Sequence, residues 1–279
     1  MKVTDEIHHI RCPFQRPGYF TGVTAILGDA ITLVDAGIAA SPIEAIVPYL
    51  HEAKRGVDEI ASIVLTHTHY DHLGGVPALA AASDAQILVH ELGMPRVLDL
   101  AAQTSFDPSR VTSVTHGEAL QLSGHTVEVW HTPGHAADSI CLIDRASQLC
   151  ISGDSIQGFG ENRPLLFYSS LAYTNSMQRL AREPLDILVM GHSFPHSDQG
   201  IVRGQAVPLI LQESIQAVGH LKDQVVHALQ AAGRPLSLHD LSQRLPTVRE
   251  PSLAPILHEL AGEGQLRQLG TGPETLWLR

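Results

Sequence analysis

The stretch Thr66-His67-Thr68-His69-Tyr70-Asp71-His72-Leu73-Gly74-Gly75 constrains this chain more than any other. It sets three imidazoles and a carboxylate within six positions and follows them with two glycines. Ahead of it, Ile60-Ala61-Ser62-Ile63-Val64-Leu65 is an apolar, largely β-branched run that reads as a buried strand. Polar ligands at the end of a buried strand are costly to desolvate unless something neutralises and orients them, and a metal ion does both. A histidine-rich polar loop accounts for His-x-His alone. It does not account for His-x-His-x-Asp-His-x-Gly-Gly after a strand.

The rest of the chain repeats the theme. Residues 3–11, 19–27 and 30–35 read as strands, with a Gly28-Asp29 turn between the last two. The third ends in Val34-Asp35-Ala36-Gly37. Ser41 and Pro42 suit the N-cap and first position of a helix running to about Arg55. An alanine-rich helix follows Gly75, then a strand over 86–90. Residues 91–117 predict helix fragments and a surface loop, with breaks at Met94-Pro95 and Asp107-Pro108. Two hairpins pair 119–122 with 126–130 and 139–143 with 149–152. His131-Thr132-Pro133-Gly134-His135 lies between them, and Gly153-Asp154 follows the second. A long loop over 155–171, a helix over 173–182 and a strand over 186–190 lead to Gly191-His192.

Asp or His residues thus recur just past strand ends. In a layered α/β protein those ends collect on one edge. In an extended loop His67 and His69 project to one side and can share a metal, whereas Asp71 and His72 suit a second. His135, Asp154 and His192, each beside a glycine that permits close backbone approach, are the candidates to complete both sets.

These motifs resemble those of the metallo-β-lactamase-fold superfamily of hydrolases over about residues 3–204. The resemblance implies an α/β fold, an αββα sandwich with its site along one edge. It also implies two divalent ions. His67, His69 and His135 would hold the first, and Asp71, His72 and His192 the second, with Asp154 bridging them. Zinc is expected for so many imidazoles, and iron or manganese accepts the same mixed set. The nucleophile would be a hydroxide bridging the ions. Asp71 would be the catalytic carboxylate, orienting that nucleophile and passing a proton to the leaving group. Asp35 would accept a proton from the outer nitrogen of a ligand histidine.

Departures narrow the branch. Zinc β-lactamases typically carry cysteine where Asp154 stands. Flavodiiron relatives carry glutamate at the second motif histidine together with a flavin domain. Glyoxalase II resembles the site closely but appends glutathione-binding helices. Lactonases often place a tyrosine three residues past the bridging aspartate, where this chain has Gln157. Gln157, Tyr70, Tyr168 and Tyr173 remain weaker supporting or substrate candidates, and His116, His125 and His131 read as surplus histidines. Phe159, Leu165, Leu166 and Phe167 give the long loop an apolar face, which favours an acyl or aromatic substrate.

From about Gln205 the pattern changes. Val207, Ile210, Leu211, Ile215, Val218, Leu221, Val225 and Leu229 recur at helical spacing. Helices over 237–245 and 251–262 follow, then a hairpin of 265–269 with 275–278. This is the outline of a winged-helix module. The expected domains are therefore a catalytic domain over 1–204 and a long helix plus winged-helix-like domain over 205–279. Such a tail resembles that of the lactamase-beta-like branch, which includes an endoribonuclease and the thioesterases that release polyketides. Residues 251–264 carry Glu259 and Glu263 but no Lys or Arg, so nucleic acid is disfavoured as a partner. Packing, pocket capping or homodimerisation is the expected role.

The net charge of −11 also works against a partner bound through phosphates. No run approaches the roughly 20 apolar residues of a membrane span. Met1 to Glu6 turns acidic at once and lacks the apolar core of a secretory signal, so a cytoplasmic location without a membrane partner is expected. Cys12, Cys141 and Cys150 read as small buried hydrophobes. The seventeen histidines are the compositional anomaly, and they point to metal. The expectation is a dinuclear metal-dependent hydrolase of a small-molecule carboxylic ester, thioester or lactone. The alternatives are a phosphodiesterase or endoribonuclease on the same site, or a non-hydrolytic ligand-sensing regulator.

Overall fold

In the computed structural model, described for residues 1–14, 17–104, 106–194, 197, 199–272 and 275–279, the chain divides into two compact units. The first takes Met1–Thr132, Asp138–Ser155 and Pro184–Val207 and holds two six-stranded sheets. Strands β1 (Ile7–Pro13), β2 (Phe20–Leu27), β3 (Ile31–Val34), β4 (Ile60–Val64), β5 (Gln86–His90) and β6 (Val111–Val114) lie in sequence order in one sheet. The first three pair antiparallel and β3 to β6 run parallel. The second sheet runs β12 (Ile201–Arg203), β11 (Ile187–Met190), β10 (Leu149–Gly153), β9 (Ile140–Asp144), β8 (His125–His131), β7 (Ala119–Leu122).

Side-chain alternation along the strands builds two cores. On one face of the first sheet Val23, Ala25, Ile31, Leu33 and Ile63 pack with Leu50 of α1 (Val47–Glu52), Leu79 of α3 (Val76–Ala82) and Val97 of α4 (Met94–Thr104). On its other face Ile26, Val34, Val64 and Val114 meet Val127, Val129, Ile140, Leu142, Ile151 and Val189 of the second sheet. Each such fully buried side chain contributes about 1.5–3 kcal/mol relative to exposure. The parallel pairings matter most for function. Val34 registers with Val64, and Gly153 with Met190, so the C-terminal ends of β3 and β4, and of β10 and β11, end side by side.

Several local expectations change. Ser41 and Pro42 do stand at the N-cap and first helical position, but the Ser41 hydroxyl makes no cap bond; it accepts the Ile38 N–H, and the helix opens as a π-helical turn, Pro42–Ile46, that leads into α1. Met94-Pro95 opens α4 instead of breaking a helix, because proline is tolerated in a first turn. Strands β6 and β12, of four and three residues, are too short for a periodicity signal.

The second unit takes Pro133–Ala137, Ile156–Glu183 and Pro208–Arg279, so it is not a C-terminal tail alone. It contains α5 (Ser170–Leu180), nearly all of α6 (Ala206–Ala232), α7 (Leu238–Arg244) and α8 (Glu250–Gly262). Three short strands, β13 (Leu236–Ser237), β14 (Arg267–Leu269) and β15 (Leu276–Leu278), form a small antiparallel sheet ordered β13-β15-β14. Leu241, Leu253, Ile256, Leu257, Leu260 and Trp277 are buried in this unit. Among the described residues no helix is long and apolar enough to cross a membrane.

Candidate metal centre

The motif starts where β4 ends. Thr66 to His69 carry no regular structure, and His69, extended at φ −68° and ψ 152°, precedes the single helical turn α2 (Tyr70–Leu73). That turn is pinned to the end of β3, since Ala36 N–H donates to the His72 carbonyl at 2.7 Å. The His67 ring lies against both neighbours, with its centroid 4.6 Å from that of His69 and 4.2 Å from that of His72. His67 Nε2 and His69 Nδ1 come within 3.0 Å.

Asp35 organises the buried side. It adopts a left-handed backbone, φ 66°, which aspartate tolerates better than most residues. Its carboxylate accepts the Thr66 N–H at 2.8 Å, the Thr66 hydroxyl at 2.8 Å and the His72 Nδ1–H at 2.8 Å. Thr66 spends its proton on Asp35, so its oxygen is the acceptor for His67 Nδ1–H at 3.2 Å. One carboxylate thereby orders two imidazoles through their Nδ1 atoms, with each Nε2 on the far side of the ring.

Asp154 and His192 arrive from the parallel ends of β10 and β11. His192 donates its Nδ1–H to the Phe20 carbonyl at 2.6 Å, which again leaves Nε2 outward. That nitrogen lies 3.2 Å from Asp71 Oδ2 and 3.3 Å from Asp154 Oδ2. Two glycines make room. A Cβ on Gly153, at φ 48°, would meet Thr66 Oγ1 at 2.2 Å, and one on Gly191 would meet Asp154 Oδ1 at 2.3 Å. Asp71 is the more open carboxylate, with its side chain 16% exposed, and accepts a long hydrogen bond from Thr21 Oγ1 at 3.4 Å.

The charges fit a cation. Burial alone would push Asp154 up, but His192 and His72 hold its carboxyl well below the usual range. Burial likewise opposes the charged form of Asp71, and His192 and His72 hold it down. Burial lowers His72, yet Asp35 and Asp154 carry it well above an ordinary imidazole. His192 is likewise carried up to about 9, chiefly by Asp154. The carboxylates therefore hold positive charge at these nitrogens, which a proton or a metal ion can supply. His72 Nε2 is completely buried without a hydrogen-bond partner, 3.4 Å from Asp154 Oδ1 and 3.7 Å from Asp71 Oδ2. An imidazole lone pair aimed between two carboxylates fits a divalent cation better than any neutral neighbour. His67, His72 and Asp154 form one ligand group, and Asp71, His72 and His192 another, each with its ligand atoms within 4.8 Å.

His135 lies in the second unit. Its Nδ1–H donates to the Leu165 carbonyl at 2.7 Å and its ring packs edge-on to Phe167, centroids 5.4 Å apart. Gln157 is fully buried and bonds to Leu165; Tyr173 is buried with its Cα and Cβ where a Gly134 side chain would sit. Tyr168 and Tyr70 are exposed. His116 packs on Trp130, His125 bonds Asp144 and Glu6, and His131 stacks on His90; none joins these ligand groups. Sequence reasoning missed Thr66 and Thr21. Thr66 had a signal, as a hydroxyl placed between a strand end and the first motif histidine. The Phe20 carbonyl had none, because main-chain acceptors look alike in sequence.

The Metallo-beta-lactamase superfamily profile matches residues 20–192. The chain belongs to that superfamily, and its His/Asp clusters could hold metal ions. The fold is shared with a metallo-beta-lactamase family protein from Thermus thermophilus. The TM-score is 0.78 at 20% identity, with all of both chains covered. A beta-lactamase domain protein from Burkholderia ambifaria aligns at TM-score 0.76 and 18% identity, over 100% of this chain and 94% of that one. Among curated relatives, an atrochrysone carboxyl ACP thioesterase of Aspergillus chevalieri is 26% identical over 74% of this chain and 64% of its own length. A lactamase-like protein of Emericella nidulans is 31% identical over 59% of this chain and 48% of its own. The chain thus spans less than two thirds of each of these curated relatives.

Proposed function

We propose that this protein hydrolyses a thioester or ester of an apolar acyl group. Two divalent ions, zinc by preference, would be held by His67, His69, His135, Asp71, His72, His192 and Asp154. The assignment of His135 follows the family pattern. The observation that carries the hydrolytic reading is the buried His72 Nε2 aimed between Asp71 and Asp154.

Such ions would supply Lewis acidity and a nucleophile at neutral pH. The protein does the rest. Asp35 fixes His72 directly and His67 through Thr66, so the ligand nitrogens need no reorganisation. Asp71, more solvent-open than Asp154, can take the proton released on addition and return it to the leaving group. Thr21 and His192 hold its Oδ2 in position for that exchange.

The acyl preference rests on a groove within the second unit, about 560 Å³ in volume. Phe167, Tyr168 and Leu171 form one side and Pro251, Ala254 and Pro255 of α8 another, with no Lys or Arg in its lining. Phe167 also touches His135, so an apolar chain lying there would begin beside a ligand histidine. A phosphodiester would call for cationic lining instead. The thioesterase relative points the same way. The test is a panel of acyl-thioesters, oxyesters, lactones, phosphodiesters and RNA offered to metal-loaded protein. Turnover rising with acyl chain length is the expected result. Turnover confined to phosphodiesters or RNA would overturn the acyl assignment.

A further inference from the structure

Gln157 has no part in the ligand set, yet it is fully buried and three residues past Asp154. Its side-chain amide grips a single residue at both ends. Oε1 accepts the Leu165 N–H at 2.8 Å, and Nε2 donates to the Leu165 carbonyl at 3.1 Å. This pairing fixes the amide orientation, because a flipped amide would set donor against donor at the Leu165 nitrogen. The same Leu165 carbonyl accepts His135 Nδ1–H at 2.7 Å. The 3.2 Å between Gln157 Nε2 and His135 Nδ1 is the spacing of two donors that converge on one oxygen.

We propose that Gln157 is a positioning residue for the metal site, clamping the backbone on both sides of the Leu165 Cα so that the Leu165 carbonyl fixes the tautomer and ring angle of His135. The surroundings hold the clamp itself. Gly158 N–H donates to Ser214 Oγ of α6 at 2.8 Å, fixing the chain just after Gln157. Leu166 N–H donates to Ser252 Oγ of α8 at 3.0 Å, and that hydroxyl donates to the Pro164 carbonyl at 3.0 Å, so Leu165 is bracketed by anchored neighbours. The Leu165 N–H belongs to the Pro164–Leu165 peptide and its carbonyl to the Leu165–Leu166 peptide, so Ser252 and Gln157 each bond to both planes. Gln157 alone of the two bonds the Leu165 carbonyl oxygen, the atom that faces His135. A carbonyl turned away from His135 would free the imidazole to protonate on Nε2, the nitrogen a ligand needs bare.

The inference rests on His135 serving as a metal ligand, and the test separates the two claims. Zinc or cobalt is titrated into the full chain for wild type, His135→Ala, Gln157→Leu and Gln157→Glu, with ring-nitrogen NMR of His135 as a second readout. His135→Ala should lose one ion. Gln157→Leu, which removes both contacts, should weaken one ion about 10–100-fold and leave the other unchanged. The His135 ring signal should move from a single Nδ1–H tautomer towards a mixture. Gln157→Glu keeps an acceptor for Leu165 N–H but loses the donor, so it retains the loop anchor and isolates the effect on the carbonyl. It should weaken the same ion. If His135→Ala binds two ions as wild type does, the ligand assignment fails. If His135→Ala loses an ion while either folded Gln157 variant binds both normally with an unchanged His135 tautomer, the clamp is wrong. Equal weakening of both ions in the Gln157 variants would also overturn it, marking a general structural role.

Discussion

His72 donates its Nδ1–H to Asp35 Oδ2 at 2.8 Å, with the imidazole 0% and the carboxylate side chain 2% exposed. The contact joins the end of β3 to the turn after β4 and leaves His72 Nε2 as the candidate ligand atom. Asp35→Asn keeps the size and the left-handed backbone but removes the charge that polarises His72 and turns an amide N–H towards donors at one oxygen position. The expected outcome is a metal affinity about 10–100-fold weaker, measured by competition with a chelating dye, together with a loss of about 1–3 kcal/mol in the metal-free protein.

Gly191 and Gly219 should answer oppositely to alanine. A Cβ on Gly191 falls 2.3 Å from Asp154 Oδ1 and 2.9 Å from His72 Cε1, so Gly191→Ala must displace two ligands. It is expected to lose metal occupancy and turnover together. Gly219 sits in α6 with nothing within 4 Å of a Cβ. Gly219→Ala should leave metal binding intact and raise stability by up to about 1 kcal/mol, read in urea melts.

Removing metal should destabilise as well as inactivate. Without a metal ion, only protons on His72 and His192 offset the buried Asp154 carboxylate. Binding a ligand only to the folded state adds about 2.7 kcal/mol at a hundredfold excess over Kd. The melting temperature should therefore fall on chelation and recover with added zinc, by an amount that grows with zinc concentration.

Acid should weaken the second sheet through Asp144. Its buried carboxylate accepts His125 Nδ1–H at 2.9 Å and the Ala146 N–H at 2.9 Å. Burial would raise it, but His125 and Ser147 hold it below the usual carboxyl value. The unfolded chain binds this proton more readily. The stabilisation is thus complete above an ordinary aspartate pKa of about 4 and lost as pH falls through the lower folded value. Asp144→Asn should cost about 1–3 kcal/mol at pH 7 and progressively less below pH 4, as urea unfolding at pH 7 and pH 3 would show.

Much of the site was legible in sequence because its ligands follow short apolar runs. A strand that stops at a ligand leaves few choices for where the ligand points, and β4, β10 and β11 stop in this way at Thr66-His67, Gly153-Asp154 and Gly191-His192. The motif could not reveal which nitrogen each histidine offers. That depends on Asp35, on the Phe20 carbonyl and on the Leu165 carbonyl, whose partners lie 37, 172 and 30 residues away. Two fold elements, β6 and β12, escaped for a different reason. They are edge strands held by pairing with a neighbour, with too few residues to show a period.

The most direct test is the initial rate of hydrolysis of a medium-chain acyl-thioester as zinc is titrated into metal-free protein. The expected result is no turnover without metal, a rise that saturates at two equivalents per chain, and no such rise for Asp154→Ala. Turnover independent of added metal, or none at two bound equivalents, would contradict it.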